Sequence, residues 1–404
     1  MSYLTFIRIS LPTVVAGAML LSCGETSVVD NYVNGQSVPV GHGNPVLFAV
    51  GQQNTTRAVP LQQAGFQNFG VFGFVDQDVN HPVMHHYLVG YYDEANGYGT
   101  KVGSTFGNPA NGAGVSYWMY EGMGADEYTG PFAGKPITDQ SRSNVAVQKL
   151  YYWDATSRTT NFYAYAPYMH GKQTVDFDYA KQRLIYPVGM LTDGYSDDSG
   201  MHEYLFASTI VDRSNYGNEV NLLFRRLNCK VAVHFYEVVE GYSAEVLKVE
   251  GRPEGEYYKS AGATVSFADS ILVTLDSPLP HGADETLRFA APDTSAIGTT
   301  RDLSSPSPTV YYGLPKPVTT GGMTFSVTYR LTSETDGSQI TLTDVKAHIP
   351  AEKCCWKSNV SYTYIFKIAH RDTSPDDPLI SLDDYIKKEE GSYQPDGPRI
   401  PICN

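Results

Sequence analysis

The amino-acid sequence predicts an all-β protein: two tandem antiparallel β-sandwich domains with little helix. Composition is the first reason. The 404 residues include 30 Tyr, 37 Gly and 24 Pro; aromatics favour pleated, half-buried surfaces, and Gly and Pro punctuate turns. The second reason is a series of short apolar runs with period-two alternation, broken by Gly, Asn, Asp and Pro. The third is the near absence of long helical periodicity. Hydrophobic residues at 42% and charged residues at 18% describe a globular chain rather than a disordered one. The length suffices for a full core in each of two domains. Lys plus Arg number 29 against 43 Asp plus Glu, a net charge of −14. That balance speaks against a nucleic-acid partner, whose phosphates are held by Lys and Arg.

The elements follow in order. Residues 1–22 carry a single charged side chain, Arg8, and an apolar stretch from Leu11 to Leu21. The stretch is shorter than the ~20 residues of a spanning helix and fits a secretory signal. Leu20–Leu21–Ser22–Cys23 has the form of a bacterial lipobox. The signal is then cut before Cys23, and the Cys23 thiol is lipidated. The mature chain is expected to be exported and held to a membrane by its acyl chains alone.

Val46 to Val50 is an apolar run opened by Pro45 and closed by Gly51. Phe69–Val75, Val145–Tyr152 and Asn161–Tyr165 follow. Val220, Leu222 and Phe224 alternate with other residues, as do Val231, Val233 and Phe235. Ser270–Leu275, Met323–Tyr329, Ile340–Leu342 and Tyr362–Ile368 complete the strand runs, and the period-two alternation implies one buried and one wet face. Asp93–Gly114 is Gly- and Asn-rich and Asp193–Gly200 is polar, and both read as surface loops. The clearest break lies at Glu240–Gly241. It gives a signal (1–22), a leading segment (23–57), an N-terminal sandwich (58–239) and a C-terminal sandwich (240–404). The tail, about 379–404, differs. Leu379, Leu382 and Ile386 share one helical face, and Ser381 with Asp383 and Asp384 resembles an N-terminal cap, so a short helix is expected there. Pro395, Pro398 and Pro401 make the last residues extended.

Signatures of chemistry are few. No G-x-S-x-G, H-E-x-x-H or P-loop occurs, so no catalytic residues, metal or cofactor are nominated and the chain reads as a non-enzyme. Asp76-x-Asp78-x-Asn80 begins like a calcium loop. His81 stands where Gly is required and Tyr87 where Glu is required, so the EF-hand pattern fails. His81, His85 and His86 cluster nearby, but adjacent residues on a strand face opposite ways. The Asp197–Asp198 and Asp383–Asp384 pairs read as solvated faces. Trp118, Trp153 and Trp356 suit a buried core better than a sugar platform. Of the five Cys, Cys354 and Cys355 are adjacent, so one of them at most faces a core. Pairing among Cys229, Cys354, Cys355 and Cys403 is left open.

Taken in order, these segments resemble the fimbrillin family, exported lipoprotein precursors of Bacteroidetes-type (type V) pili. The resemblance runs over most of the chain. It begins at Cys23 and continues through Val46–Val50, Thr55–Thr56–Arg57–Ala58 and Phe69–Val75. Phe162–Tyr163–Ala164–Tyr165–Ala166–Pro167–Tyr168 is similar to the family's aromatic "F-x-A-Y-x-P" segment. Tyr204–Leu205–Phe206–Ala207 and Val220-x-Leu222-x-Phe224-x-Arg226-x-x-x-Lys230-x-Ala232 match mid-chain strands. Trp356–Lys357–Ser358–Asn359 and Tyr362–Thr363–Tyr364 resemble the last strand, with Asn359 at a turn position. The resemblance implies transthyretin-like sandwiches, palmitate at Cys23, and an outer-membrane precursor that becomes part of a surface fimbrium. It implies proteolysis between Arg57 and Ala58, removal of the strand bearing Val46, Phe48 and Val50, and head-to-tail strand exchange with other fimbrial subunits. An adhesive role toward a host or bacterial surface ligand goes with it. In polymerising members the C-terminal segment is the donor, and the prolines here depart from that pattern; a tip or accessory subunit fits as well as a stalk subunit. The rival function is a lipid-anchored glycan-binding protein using Tyr and Trp as stacking platforms.

Overall fold

The aromatic and β-branched runs do form strands in the computed structural model. It describes residues 32–33, 36–37, 45–51, 68–76, 78, 82–93, 116–121, 123–124, 148–195, 203–282, 285–289, 297–299, 309–315, 321–370 and 379–389. In chain order the strands are β1 (Tyr32–Val33), β2 (Gln36–Ser37), β3 (Phe48–Gly51), β4 (Asn68–Val75), β5 (Pro82–Asp93), β6 (Ser116–Met119), β7 (Thr159–Ala166) and β8 (Asp176–Asp178). Next come β9 (Arg183–Thr192), β10 (Gly194–Tyr195), β11 (Leu205–Asp212), β12 (Val220–Leu223), β13 (Arg225–Arg226), β14 (Cys229–Glu237), β15 (Tyr242–Pro253) and β16 (Tyr258–Ser266). The last are β17 (Leu272–Pro280), β18 (Leu287–Phe289), β19 (Thr309–Gly313), β20 (Met323–Ser333), β21 (Gln339–Ile349), β22 (Val360–Ile368) and β23 (Ile380–Glu389).

An eight-stranded sheet, ordered β12-β3-β6-β5-β4-β7-β11-β13, organises the first half. Its two outermost strands are separated in the chain by Phe224 alone, so the sheet must curl until its edges nearly meet. The curl encloses a core of Phe69, Val71, Trp118, Phe162, Val220 and Leu222. The outer face packs on a four-stranded sheet, β17-β16-β9-β8, and buries Phe72, Phe74, Tyr163, Tyr165, Tyr186 and Val265. Strand β4 is therefore covered on both sides, which explains why its sequence is apolar throughout rather than alternating. The second sandwich packs β10-β19-β14-β22-β23 on β18-β15-β20-β21. Val231, Val233, Phe235, Tyr362, Tyr364 and Phe366 meet Val249, Phe325, Val327 and Tyr329 in its core.

Most pairings are antiparallel, as expected; β3 with β12 and β14 with β22 are parallel. Sheet membership crosses residue 240 in both directions. Strand β14, before it, belongs to the second sandwich, while β16 and β17, after it, pair with each other and with β9 in the first.

Three expectations are corrected. The tail helix is strand β23, antiparallel to β22 from Ile368↔Ile380 to Val360↔Glu389. Ile380 is buried, and the Tyr385 ring stacks on Tyr362 and Tyr364 at 6.2 and 5.3 Å; a ready strand edge outweighs a weak local helix propensity. In the Asp193–Gly200 loop, Gly194 and Tyr195 form β10, paired with β19. Of Val145–Tyr152, the described residues 148–152 make only a single bridge, Pro45↔Tyr152.

Candidate functional site

The sequence singled out Val46, Phe48 and Val50, and the structure puts all three in the interior of the eight-stranded sheet's core. Strand β3 is not at an edge. It lies between β12, parallel along Phe48↔Val220 to Gly51↔Leu223, and β6, antiparallel at Phe48↔Trp118. The Val46 N–H donates to the Tyr151 carbonyl at 2.8 Å, and the Val220 N–H donates to the Leu47 carbonyl at 2.7 Å. Phe48 meets the rings of Phe69, Tyr120 and Phe162 edge-on, with centroids 5.8, 5.9 and 5.6 Å away. Leu47 and Ala49, pointing the other way, are also buried. Burying a Val or Phe side chain contributes about 1.5–3 kcal/mol, so this short segment holds a substantial share of the core together.

Three residues the sequence did not nominate fix the slot. The Tyr120 hydroxyl donates to the Val46 carbonyl at 2.9 Å and accepts from the Tyr151 N–H at 3.0 Å. Burial pushes the Tyr120 phenol well above the ordinary tyrosine range, against the hydrogen bond from Tyr151. Burial also pushes Tyr151 up to about 12. The buried Gln148 side chain behaves like a piece of strand: Nε2 donates to the Leu88 and Tyr120 carbonyls, both at 2.9 Å, and Oε1 accepts from the Leu88 N–H at 2.7 Å. Their partners lie 28 to 74 residues away in sequence, so no local pattern marks them.

Strand β12 joins the sheet through β3, its one strand partner among the described residues. Without residues 46–51, the backbones of β12 and β6 lose a partner and the inner core opens along a groove. Unpaired strand backbone beside apolar side chains is a template for another strand.

The other nominated residues fall elsewhere. Cys23, Arg57, Ala58, His81 and Asp197–Asp198 lie outside the described residues. His85 is exposed and bonds the Tyr179 hydroxyl at 2.9 Å, whereas His86 is buried against Phe72 and Tyr168. The Asp76 carboxylate accepts the Arg158 and Thr159 N–H groups at 2.6 and 3.0 Å, which makes it a turn residue. Among the described residues no group of three His, Cys, Asp or Glu could hold a metal ion. Asp383 accepts the Tyr236 hydroxyl at 2.8 Å. Trp118, Trp153 and Trp356 are all buried. Cys229 and Cys354 are buried, and Cys355 is disulfide-bonded. Among the described residues no helix is long and apolar enough to cross a membrane.

Residues 100–381 match the family model described as fimbrillin-like. The chain belongs to the fimbrillin-like family. No curated protein matches it in sequence. Among solved structures, it is similar to a fimbrial protein from Bacteroides vulgatus, with 12% identity over 86% of this chain and 99% of that one, at a TM-score of 0.44. It is also similar to a candidate cell-adhesion protein from Bacteroides ovatus, with 13% identity over 87% of this chain and 99% of that one, again at 0.44. A third, a candidate cell-adhesion protein from Bacteroides uniformis, shares 10% identity over 87% of this chain and 99% of that one, at 0.40. Within this fimbrillin-like chain, the Asn359 position expected as a turn is one: its φ is +63°, and its Oδ1 accepts the Arg226 N–H at 2.9 Å.

Proposed function

We propose that this fimbrillin-like chain is a subunit of cell-surface fimbriae that assembles by strand replacement and serves adhesion, without enzymatic activity. In this reading the precursor is exported, lipidated at Cys23 and held at the outer membrane. Cleavage between Arg57 and Ala58 releases the segment bearing Val46, Phe48 and Val50. An extended segment of another subunit then takes its place, with main-chain hydrogen bonds for affinity and side-chain pockets for selection. Head-to-tail contacts of this kind do not close, and so build a filament.

The observation that carries the reading is the position of β3. A strand paired on both sides, second from the edge of its sheet and filling a core with three apolar side chains, sits on a short leading segment that a cut after Arg57 would sever from the rest of the fold. A tip or accessory position suits the chain better than a stalk position. Strand β23 is committed to the chain's own sheet, and Pro395, Pro398 and Pro401 follow it; proline cannot donate to a ladder.

The test is the N-terminus and intact mass of the protein recovered from its native surface. A chain starting at Ala58 is the expected result. A lipidated chain starting at Cys23, with no trimmed form even in sheared fibres, would sink strand replacement.

A further inference from the structure

We infer that the β3 slot is selective, and that it takes a strand of stated chemistry: five consecutive apolar residues with an aromatic at the centre, running parallel to β12. This rests on the strand-replacement reading and specifies the partner it requires.

Each part of the pattern comes from what now fills the slot, Val46–Leu47–Phe48–Ala49–Val50. The central position is an aromatic box. Phe69 and Phe162 stand at 87° to the Phe48 ring and Tyr120 at 68°, all within 5.9 Å. Edge-to-face packing rewards a ring beyond the area it buries, so an aliphatic residue fills part of the volume and loses the geometry. The flanking positions hold Val46 at 0% and Val50 at 3% exposure, with Leu47 and Ala49 at 9% on the opposite face. An alternating strand with polar residues on one face therefore does not fit, because those groups would be buried without partners.

Direction and register are fixed by backbone. Phe48 lies opposite Val220 in the parallel pair. The residue at the Val46 position must donate an N–H to the Tyr151 carbonyl and offer its own carbonyl to the Tyr120 hydroxyl. Proline is excluded there, having no N–H. A one-residue slip would also bring Leu47 into the aromatic box.

The test uses the chain cleaved after Arg57 and a synthetic peptide of residues 45–51. Binding is read by tryptophan fluorescence, since Trp118 lines the slot 5.2 Å from Phe69. The unaltered peptide is expected to bind. Phe48→Leu in the peptide should weaken binding about 10-fold, and Phe48→Ala or Ala49→Asp about 100-fold or more. Should the emptied protein not stay folded, each peptide is supplied in excess during cleavage, and its retention after gel filtration is read by mass spectrometry. Equal binding of all the peptides would overturn the selectivity while leaving strand replacement standing. Failure of the unaltered peptide to bind by either route would overturn strand replacement, and the inference with it.

Discussion

Tyr120 shows how one hydroxyl can reinforce two segments that share only a single bridge, Pro45↔Tyr152. It sits between the buried carbonyl of Val46 and the partly buried N–H of Tyr151 and bonds both, where a bare ring would take this partner from each. Leaving such a group unsatisfied costs about 1–3 kcal/mol, more than a hydrogen bond contributes on average. Tyr120→Phe keeps the ring contact with Phe48 at the centre of the slot and removes only the bridge. It should lower the stability of the full chain by about 1–3 kcal/mol in urea unfolding, and should speed loss of residues 46–51 after cleavage. No change in either would mean that water replaces the hydroxyl.

The pairing of β4 with β7 works by a device repeated on each face of one strand. Gly70 lies opposite Tyr165 and Gly73 opposite Phe162, and each ring folds over the missing side chain of its glycine, a way of filling the gap a glycine leaves in a sheet. A Cβ built on Gly70 would stand 2.3 Å from Tyr165 Cε1. The ring has little room to retreat, because its hydroxyl donates to the Met169 carbonyl at 2.9 Å and is hydrogen-bonded to His86 Nε2. Gly70→Ala should therefore destabilise the chain by about 1–3 kcal/mol, seen as a lowered thermal midpoint; a neutral result would show that the ring moves freely.

These two strands were legible because their sequences are apolar runs, and so was the slot strand, an apolar run between Pro45 and Gly51. Strand β23 was not. A bulge between Ile365 and Phe366 skips Asp383, which breaks the period of two and leaves Leu379, Leu382 and Ile386 at helical spacing. Strand β5 hides in the same way: the extra residue at His85–His86, where φ of His86 is +52°, shifts its register against β4. The slot's supports, Tyr120 and Gln148, were silent because their meaning lies in distant backbone.

At the scale of the molecule, buried polar joints tie the two sandwiches. Arg226, in β13, pairs with Glu203 at 2.6 Å and accepts the Ser358 hydroxyl on its carbonyl at 2.9 Å. Asp193, between β9 and β10, accepts from the Tyr311 hydroxyl at 2.7 Å and meets His281 Nε2 at 2.5 Å. Such joints favour unfolding as one unit, and the groups buried with them decide where in pH it occurs. Burial raises the phenols of Tyr186, Tyr257, Tyr311 and Tyr364 above the ordinary tyrosine value of 10.0. It raises Tyr385 to about 12, and the Cys229 thiol from 9.0 to about 12. In each case the fold favours the neutral form, so the unfolded chain gives up its proton first. Their contribution is whole below the unfolded values and is lost as pH rises through them toward the folded ones. On the acid side the lowered groups are exposed. Glu285 is held near 2 by Lys259, and Asp336 near 2 by Ser333. Their contribution, present above the ordinary carboxylate range and lost as pH falls toward 2, is screened by solvent and small. The urea midpoint should therefore fall steeply between about pH 9 and 12, in step with tyrosinate absorbance, and only gently between about pH 5 and 3. A midpoint that stayed flat across the alkaline range would mean that these phenols ionise without unfolding, and that the cores admit water the structure does not provide for.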